Sequence, residues 1–424
     1  MSIKNTLLEE RDVQPLAARK AMPAKAVLVA ILGSLGMMGP LTVDMYLPAL
    51  PAITSDFETS ASAVQLSLTF YLLGLALGQL LAGPISDVRG RRAPIIVGLT
   101  VYAISSLLCA LSTSIGSLIV LRTLQGLSGA AGIVVARAIV RDLFSGKELT
   151  RFFTLLMLVN GAGPIIAPLI GGQLLLYTTW HGIFYVLSGV GIVMLTAVLF
   201  GLKETLPPEK RSQAGLLHTV RTFGELLRDR EFIGYALSSG FVTAALFAYL
   251  SGSSFMLQNV YGVSAQMYSY IFAFNGIGFI LASQLTGRLV GRFSELKLLV
   301  TGYVIAASGG VLLLASLLLH APLYVVTAAC FLIVSSVGIV GPTSSSLALQ
   351  SKGKTAGSAA ALLGVLSLLF GALTSPLVGL GGEHTAVPLG LVIAVSGLGS
   401  LVCYFVLIRP QRRAIQTQER PLSL

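Results

Sequence analysis

The chain has 424 residues, of which 54% are hydrophobic and only 11% charged, with a formal net charge of +11; its mean hydropathy is +0.86. Soluble domains carry about 25% charged residues, so this composition excludes a water-soluble globular protein. Three cysteines, Cys109, Cys330 and Cys403, lie singly in apolar runs and exclude a disulfide framework or a thiolate metal centre.

A bilayer-crossing helix needs roughly 20 mostly apolar residues. Charge-poor runs of that kind fall near 26–49, 63–85, 94–112, 117–138, 152–176, 182–202, 232–256, 268–287, 298–319, 323–346, 357–378 and 387–408. The expected fold is an all-α membrane protein of twelve spans. Placing the N-terminus in the cytoplasm puts 26 of the 28 Lys and Arg residues on the cytoplasmic side, and the other two, Arg122 and Arg137, within span 4. That is the positive-inside pattern, so the basic charge reports topology and attraction to anionic lipid, not nucleic acid. Both termini are then cytoplasmic, and the mixed-charge N-tail "MSIKNTLLEERDVQPLAARK" does not read as a signal peptide.

In chain order, the organisation reads as an N-tail (1–25), six spans (26–202), a polar linker "KETLPPEKRSQAGLLHTVRTFGELLRDRE" (203–231), six further spans (232–408) and a C-tail (409–424). The linker holds six basic and five acidic residues, as expected of a solvated connector. A weak repeat supports two halves: "SDVRGRR" follows span 2 and "GRLVGR" follows span 8, although Arg288 stands where the first copy has Asp87. Two six-helix bundles around a midplane site is a common transporter layout.

Span 1 ends in "GPLTVDMYLPALPAI" (39–53), where Asp44 is costly: a carboxylate inside a span costs on the order of 3 kcal/mol. In "LRTLQGLSGAAG" (121–132) of span 4, Arg122 has the same difficulty. Each lies about five residues from the outer end of its span, about 7–8 Å deep at 1.5 Å per residue. A carboxylate and a guanidinium at one depth solve each other's problem, so Arg122 is the expected partner of Asp44. Burial opposes ionisation of the acid and the arginine promotes it, a balance suited to a proton carrier.

Between spans 2 and 3, "GQLLAGPISDVRGRR" (78–92) combines close-packing glycines, Gly83 and Gly90, with a charge cluster of Asp87, Arg89 and Arg91. Arg137 and Arg141, at the inner end of span 4, stand at the right height to partner Asp87. In span 5, "NGAGPIIAPLIGG" (160–172) places Pro164 and Pro168 one turn apart, so two turns lack a backbone donor and the helix is expected to bend. Gly161, Ala167, Gly171 and Gly172 fall near one face and leave a smooth surface for a neighbouring helix, and Gly163 precedes Pro164 in the same run. Candidate cavity-lining groups are Tyr71, Gln125, Asn160, Tyr249, Phe255 and Asn275, an amphipathic set suited to flat, semi-polar solutes.

Together these stretches resemble the major facilitator superfamily. The span 2–3 loop is similar to its signature loop, which in the family stabilises one of the two transport states. The Gly-Pro run of span 5 is similar to the motif that separates drug/proton exporters from uptake carriers. "DMYLPALP", "TWHGIF" (179–184), "KETLPPEKR" and "FAYLSGSSFMLQNVYGVS" (247–264) resemble the Bcr/CflA subfamily of bicyclomycin and chloramphenicol exporters. The resemblance implies that spans 1 and 4 meet across a central cavity. It also implies a monomeric proton-coupled antiporter in the bacterial cytoplasmic membrane, with drugs such as bicyclomycin, chloramphenicol or sulfonamides, or small metabolites, as solutes. A proton-coupled uptake symporter on the same fold is the alternative, and a membrane enzyme or sensor scaffold a distant third. His181, His218, His320 and His384 are scattered without ligand spacing, and no GxxxxGK[ST] loop is present; no enzyme activity, cofactor or metal is expected.

Overall fold

The computed structural model describes residues 25–211, 216–350, 352–382 and 385–410. The helices are α1 (Lys25–Asp44), α2 (Leu50–Asp56), α3 (Ala61–Arg89), α4 (Arg92–Ala110), α5 (Ile115–Leu143), α6 (Gly146–Tyr177) and α7 (Trp180–Gly201). They continue with α8 (Leu216–Arg228), α9 (Arg230–Phe255), α10 (Ala265–Leu289), α11 (Glu295–Leu318), α12 (Leu323–Leu349), α13 (Ala356–Val378) and α14 (Val387–Cys403). Among the described residues eleven helices are long and apolar enough to cross a membrane, and α6 adds the shorter apolar stretch Gly161–Tyr177.

Polar caps fix several helix starts. Ser60, Ser114, Ser264 and Ser294 each accept a backbone N–H three residues on, opening α3, α5, α10 and α11. Inside, α3 and α4 both pack on α5, while α1 lies against α5, α6 and α7. In the later part, α9 packs on α12, α13 and α14, and α11 on α12 and α14. The two groups meet mainly through α3 against α13 and α6 against α10.

Two elements differ from the sequence reading. The first span does not close at its prolines: α1 stops at Asp44, a 3-10 turn covers Leu47–Ala49, and the chain re-enters a helix, α2. The second proline stands at the first turn of α2, where its missing N–H leaves no bond unmade. The linker is no mere solvated connector, because α8 buries Thr222 and Leu226 and packs on α9 and α13. Both Pro164 and Pro168 lie inside the continuous helix α6.

The crossing of α3 and α5 depends on glycine. A Cβ at Gly74 would strike the Thr123 carbonyl, and one at Gly126 would strike the Tyr71 carbonyl. This backbone-to-backbone approach brings Tyr71 beneath residues 122–126. Gly126→Leu is therefore expected to cost at least the ~1–3 kcal/mol typical of overpacking. Lower yield and a lower melting temperature of the detergent-purified protein would show it; an unchanged melt would mean that the two helices separate freely.

Candidate functional site

Arg122 is fully buried (0% exposed), and Asp44 is 5% exposed. The expected ion pair between them is not made. Arg122 instead donates from Nη1 to Gln125 Oε1 (2.6 Å) and to the Thr42 carbonyl (3.3 Å). Its guanidinium carbon lies 4.4 Å from the Tyr71 ring centroid, 4.6 Å from Tyr46 and 5.7 Å from Phe184, an aromatic cage suited to a desolvated cation. Nε and Nη2 are buried with no partner among the described residues.

The break after α1 builds this cage. The turn at Asp44–Tyr46 swings Tyr46 inward, where its hydroxyl bonds Ser67 Oγ at 2.7 Å. Because Ser67 Oγ donates to the Val64 carbonyl, Tyr46 is the donor in that pair. On the other side Thr42 donates to the Met38 carbonyl and accepts from the Tyr102 hydroxyl (2.6 Å). Gln125 Nε2 donates to Ser106 Oγ at 2.7 Å, completing a brace from α4 to the arginine.

Asp44 makes no hydrogen bond or ion pair among the described residues. It lies at the last residue of α1, within electrostatic reach of Tyr71 on α3 and Tyr268 on α10. Tyr71 is thus within reach of both the acid and the arginine. Depth along a helix was readable from spacing; whether the two side chains meet was not.

The span 2–3 loop also departs from expectation. Asp87 is partnered by Arg91 (2.5 Å), not by Arg137 or Arg141, which are exposed. Gly90, at φ +91°, turns the chain so that Arg91 folds back over the end of α3. There Arg91 also bonds Asp142 (2.7 Å) and Ser86 (2.8 Å). Arg89 takes no part in this cluster.

Glu204, just past α7, accepts backbone N–H groups from Arg91 (2.8 Å), Arg92 (3.1 Å), Thr205 and Leu206 (3.0 Å each). The sequence offered Asp142 and Glu204 only as ordinary carboxylates near basic residues. In the second half, Asp229 caps α9 through the Glu231 and Phe232 N–H groups and pairs with Lys352.

The glycines of 161–172 seat α6 between two neighbours. Gly163 faces Pro40, Gly171 faces the Met45 carbonyl, and Gly172 faces Ser269 of α10. Gly161 lies near Ile280, and Pro164 near Gly276. Of the cavity candidates, Tyr71, Gln125, Tyr249, Phe255 and Asn275 are all buried. Asn275 donates to the Tyr249 hydroxyl (2.8 Å) and leaves Oδ1 unpartnered. The side chain of Asn160 lies outside the described residues.

Four glutamines, unmarked in the sequence reading, join the helix groups at the end opposite the charged loops. Gln65 Nε2 donates to the Ser251 carbonyl (3.2 Å), Gln258 to Pro48 (3.0 Å) and Gln266 to Gly172 (3.1 Å), while Gln173 donates to the Tyr270 hydroxyl (3.1 Å). Gln258 sits on a π-helical turn, Met256–Val260, that extends α9.

A family model described as Major Facilitator Superfamily matches residues 32–376. An "Uncharacterized MFS-type transporter YdgK" of Bacillus subtilis is 44% identical over 91% of this chain and 96% of its own length. A "Bicyclomycin resistance protein homolog" of Haemophilus influenzae is 32% identical, covering 90% of this chain and 96% of that protein. Among solved structures, the nucleoside transporter NupG superposes with a TM-score of 0.74 over 91% of this chain and 99% of its own, at 12% identity, a likeness of fold.

Glu204 makes a pH prediction possible. Burial alone would raise its carboxyl, but the N–H groups of Leu206, Arg91, Arg92 and Thr205 outweigh that and hold it below its ordinary value. A depressed acid contributes stability that is complete above its ordinary titration, roughly pH 4, and lost as pH falls through the lowered value. The wild type should therefore melt above Glu204→Gln at neutral pH, with no change in the difference down to about pH 5. The two melts should converge on further acidification; a gap independent of pH would mean that the charge of Glu204 contributes nothing.

Proposed function

Because the chain belongs to the Major Facilitator Superfamily, a family of membrane transporters and not enzymes, we propose that it is a proton-coupled antiporter. It exports small drugs or metabolites across the bacterial cytoplasmic membrane by alternating access. The proposed topology has twelve spans, α6 being the twelfth beside the eleven long apolar helices, in two six-helix halves with both termini cytoplasmic. The bicyclomycin-resistance homologue supports the efflux direction and the drug class.

The observation that carries the coupling is the pair of buried charge-bearing groups, neither of which has a counter-ion among the described residues. A carboxylate left unpaired at Asp44 would cost several kcal/mol, and the neutral acid avoids that cost. Arg122 meanwhile keeps two donors free. A small rotation or shift of α1 against α5 would bring the acid to those donors, where ionisation becomes favourable. Proton loss and helix movement are then one event. Tyr268 lies across the seam from Asp44, so the event reaches the second half.

The conformation fits one stage of this cycle. Glutamine amides tie the halves at the outer end. At the cytoplasmic end no ion pair among the described residues joins the first half to the second. On this reading the solute path is closed at the outer end, and Asp44 holds its proton until it discharges towards the cytoplasm.

Drug movement in proteoliposomes under an imposed pH gradient tests the reading, with chloramphenicol and bicyclomycin as probes. One proton moving through 100 mV is worth roughly 2.3 kcal/mol, enough for about a 50-fold gradient of a neutral solute. Wild type should accumulate drug against the proton flow, whereas Asp44→Asn should lose accumulation and keep passive exchange. A variant that still couples would place the proton site elsewhere.

A further inference from the structure

The charged loop after α3 contains one cation with nothing to do. Arg91 is held by Asp87, Asp142 and Ser86, and Arg92 Nη2 donates to the Leu199 carbonyl at 2.7 Å. Arg89 is exposed and makes no hydrogen bond or ion pair among the described residues. It stands at the head of a lipid-facing furrow of about 340 Å³ between α3 and α4, floored by α5.

The furrow has a structural origin. Gly78 and Gly98 let α3 and α4 sink onto α5, at Leu127 and at Ser128 and Ala131 respectively. The two helices make few contacts with each other, and the small residues between them leave the floor open. From Arg89 to Gly78 the α3 wall spans 12 residues, about 16 Å end to end at 1.5 Å per step, close to half of the ~30 Å hydrocarbon core. The length is that of one leaflet, the walls are apolar, and the head is a single unneutralised guanidinium.

We propose that this furrow is a binding site for one anionic phospholipid, with an acyl chain lying between α3 and α4 and the headgroup phosphate on Arg89. The chemistry matches at both ends: an alkyl chain covers exposed Ile85 and Val97, and a guanidinium binds phosphate in a fork that a lysine ammonium cannot copy. A lipid so placed wedges the helices on either side of the Arg91 cluster and bears on the loop's movement during transport. The assignment rests on the membrane reading of the chain and not on the direction of transport or on Asp44.

The test uses the purified full chain, stripped of lipid in detergent and titrated with phosphatidylglycerol or with phosphatidylcholine of the same acyl chains. Native mass spectrometry counts the lipids retained. Wild type should retain one more phosphatidylglycerol than Arg89→Gln, and the variant's affinity should fall roughly fivefold, the equivalent of about 1 kcal/mol for one basic side chain at an anionic headgroup. Ala93→Trp, which fills the furrow from its exposed rim, should remove the same lipid while leaving Arg89 in place. Equal retention of the two lipids by wild type would overturn the proposal, as would Arg89→Gln holding phosphatidylglycerol like wild type. Because the readout is binding alone, it stands whether or not Asp44 proves to be the coupling group.

Discussion

The first half is organised around a guanidinium that has no counter-ion. Removing a charge from water costs several kcal/mol. Against this, Arg122 has two hydrogen bonds and three aromatic faces. A charged hydrogen bond contributes about 1.5–3 kcal/mol and a desolvated cation–π contact about 2, so the cation is tolerable but not saturated. Nearly every neighbouring feature serves it. The break after α1 delivers Tyr46, the glycine crossing of α3 and α5 delivers Tyr71, and α7 delivers Phe184. Ser106 fixes the amide of Gln125 so that its oxygen points at the arginine. A site held this firmly on its neutral side, with two donors left open, is primed for an anion.

The two ends of the molecule use different chemistry for similar mechanical tasks. At the cytoplasmic end of the proposed topology, carboxylates and cations make the ties: Arg91 with Asp87 and Asp142, Glu204 with four backbone N–H groups, and Asp229 with Lys352. At the outer end the ties between the helix groups are neutral amides. An amide bridge separates no charge when it breaks, so it adds little barrier and no proton dependence of its own. The halves are also unlike. Where the first has Asp87, the second has Arg288, exposed and unpaired among the described residues, and its tie lies instead between the start of α9 and the segment before α13. The acid missing from the repeat is therefore not replaced in kind; a different joint is braced.

Much of this was legible in the sequence, for reasons that can be named. The spans stand out because apolar runs lack charge, and Asp44 and Arg122 stand out because they break that rule. What was hidden depended on rotation and on context. Equal depth suggested a pair, but Asp44 makes no ion pair among the described residues while Arg122 turns into the aromatic cage. Asp87 attracted distant arginines on paper, whereas the positive φ of Gly90 makes Arg91 its neighbour. Glu204 sat in a linker where a carboxylate is expected to meet only water. The four glutamines were ordinary polar residues near helix ends, and nothing in their spacing announces which carbonyl each will meet.

The placement of Tyr71 draws these points together. It rests on backbone contact between α3 and α5, so it cannot move away from Arg122 without separating the helices. Asp44, by contrast, sits on the last residue of a helix whose continuation is broken, next to α6 glycines that allow sliding contact at Met45. In the proposed cycle the cation is then the fixed partner and the acid the mobile one. In a proton-coupled cycle that division has a consequence: the charge that changes is carried by the segment that can move, and the displacement passes directly to Pro48, whose carbonyl accepts from Gln258 of the second half. In the proposed cycle the broken end of the first span is then both the proton site and the handle on the outer closure.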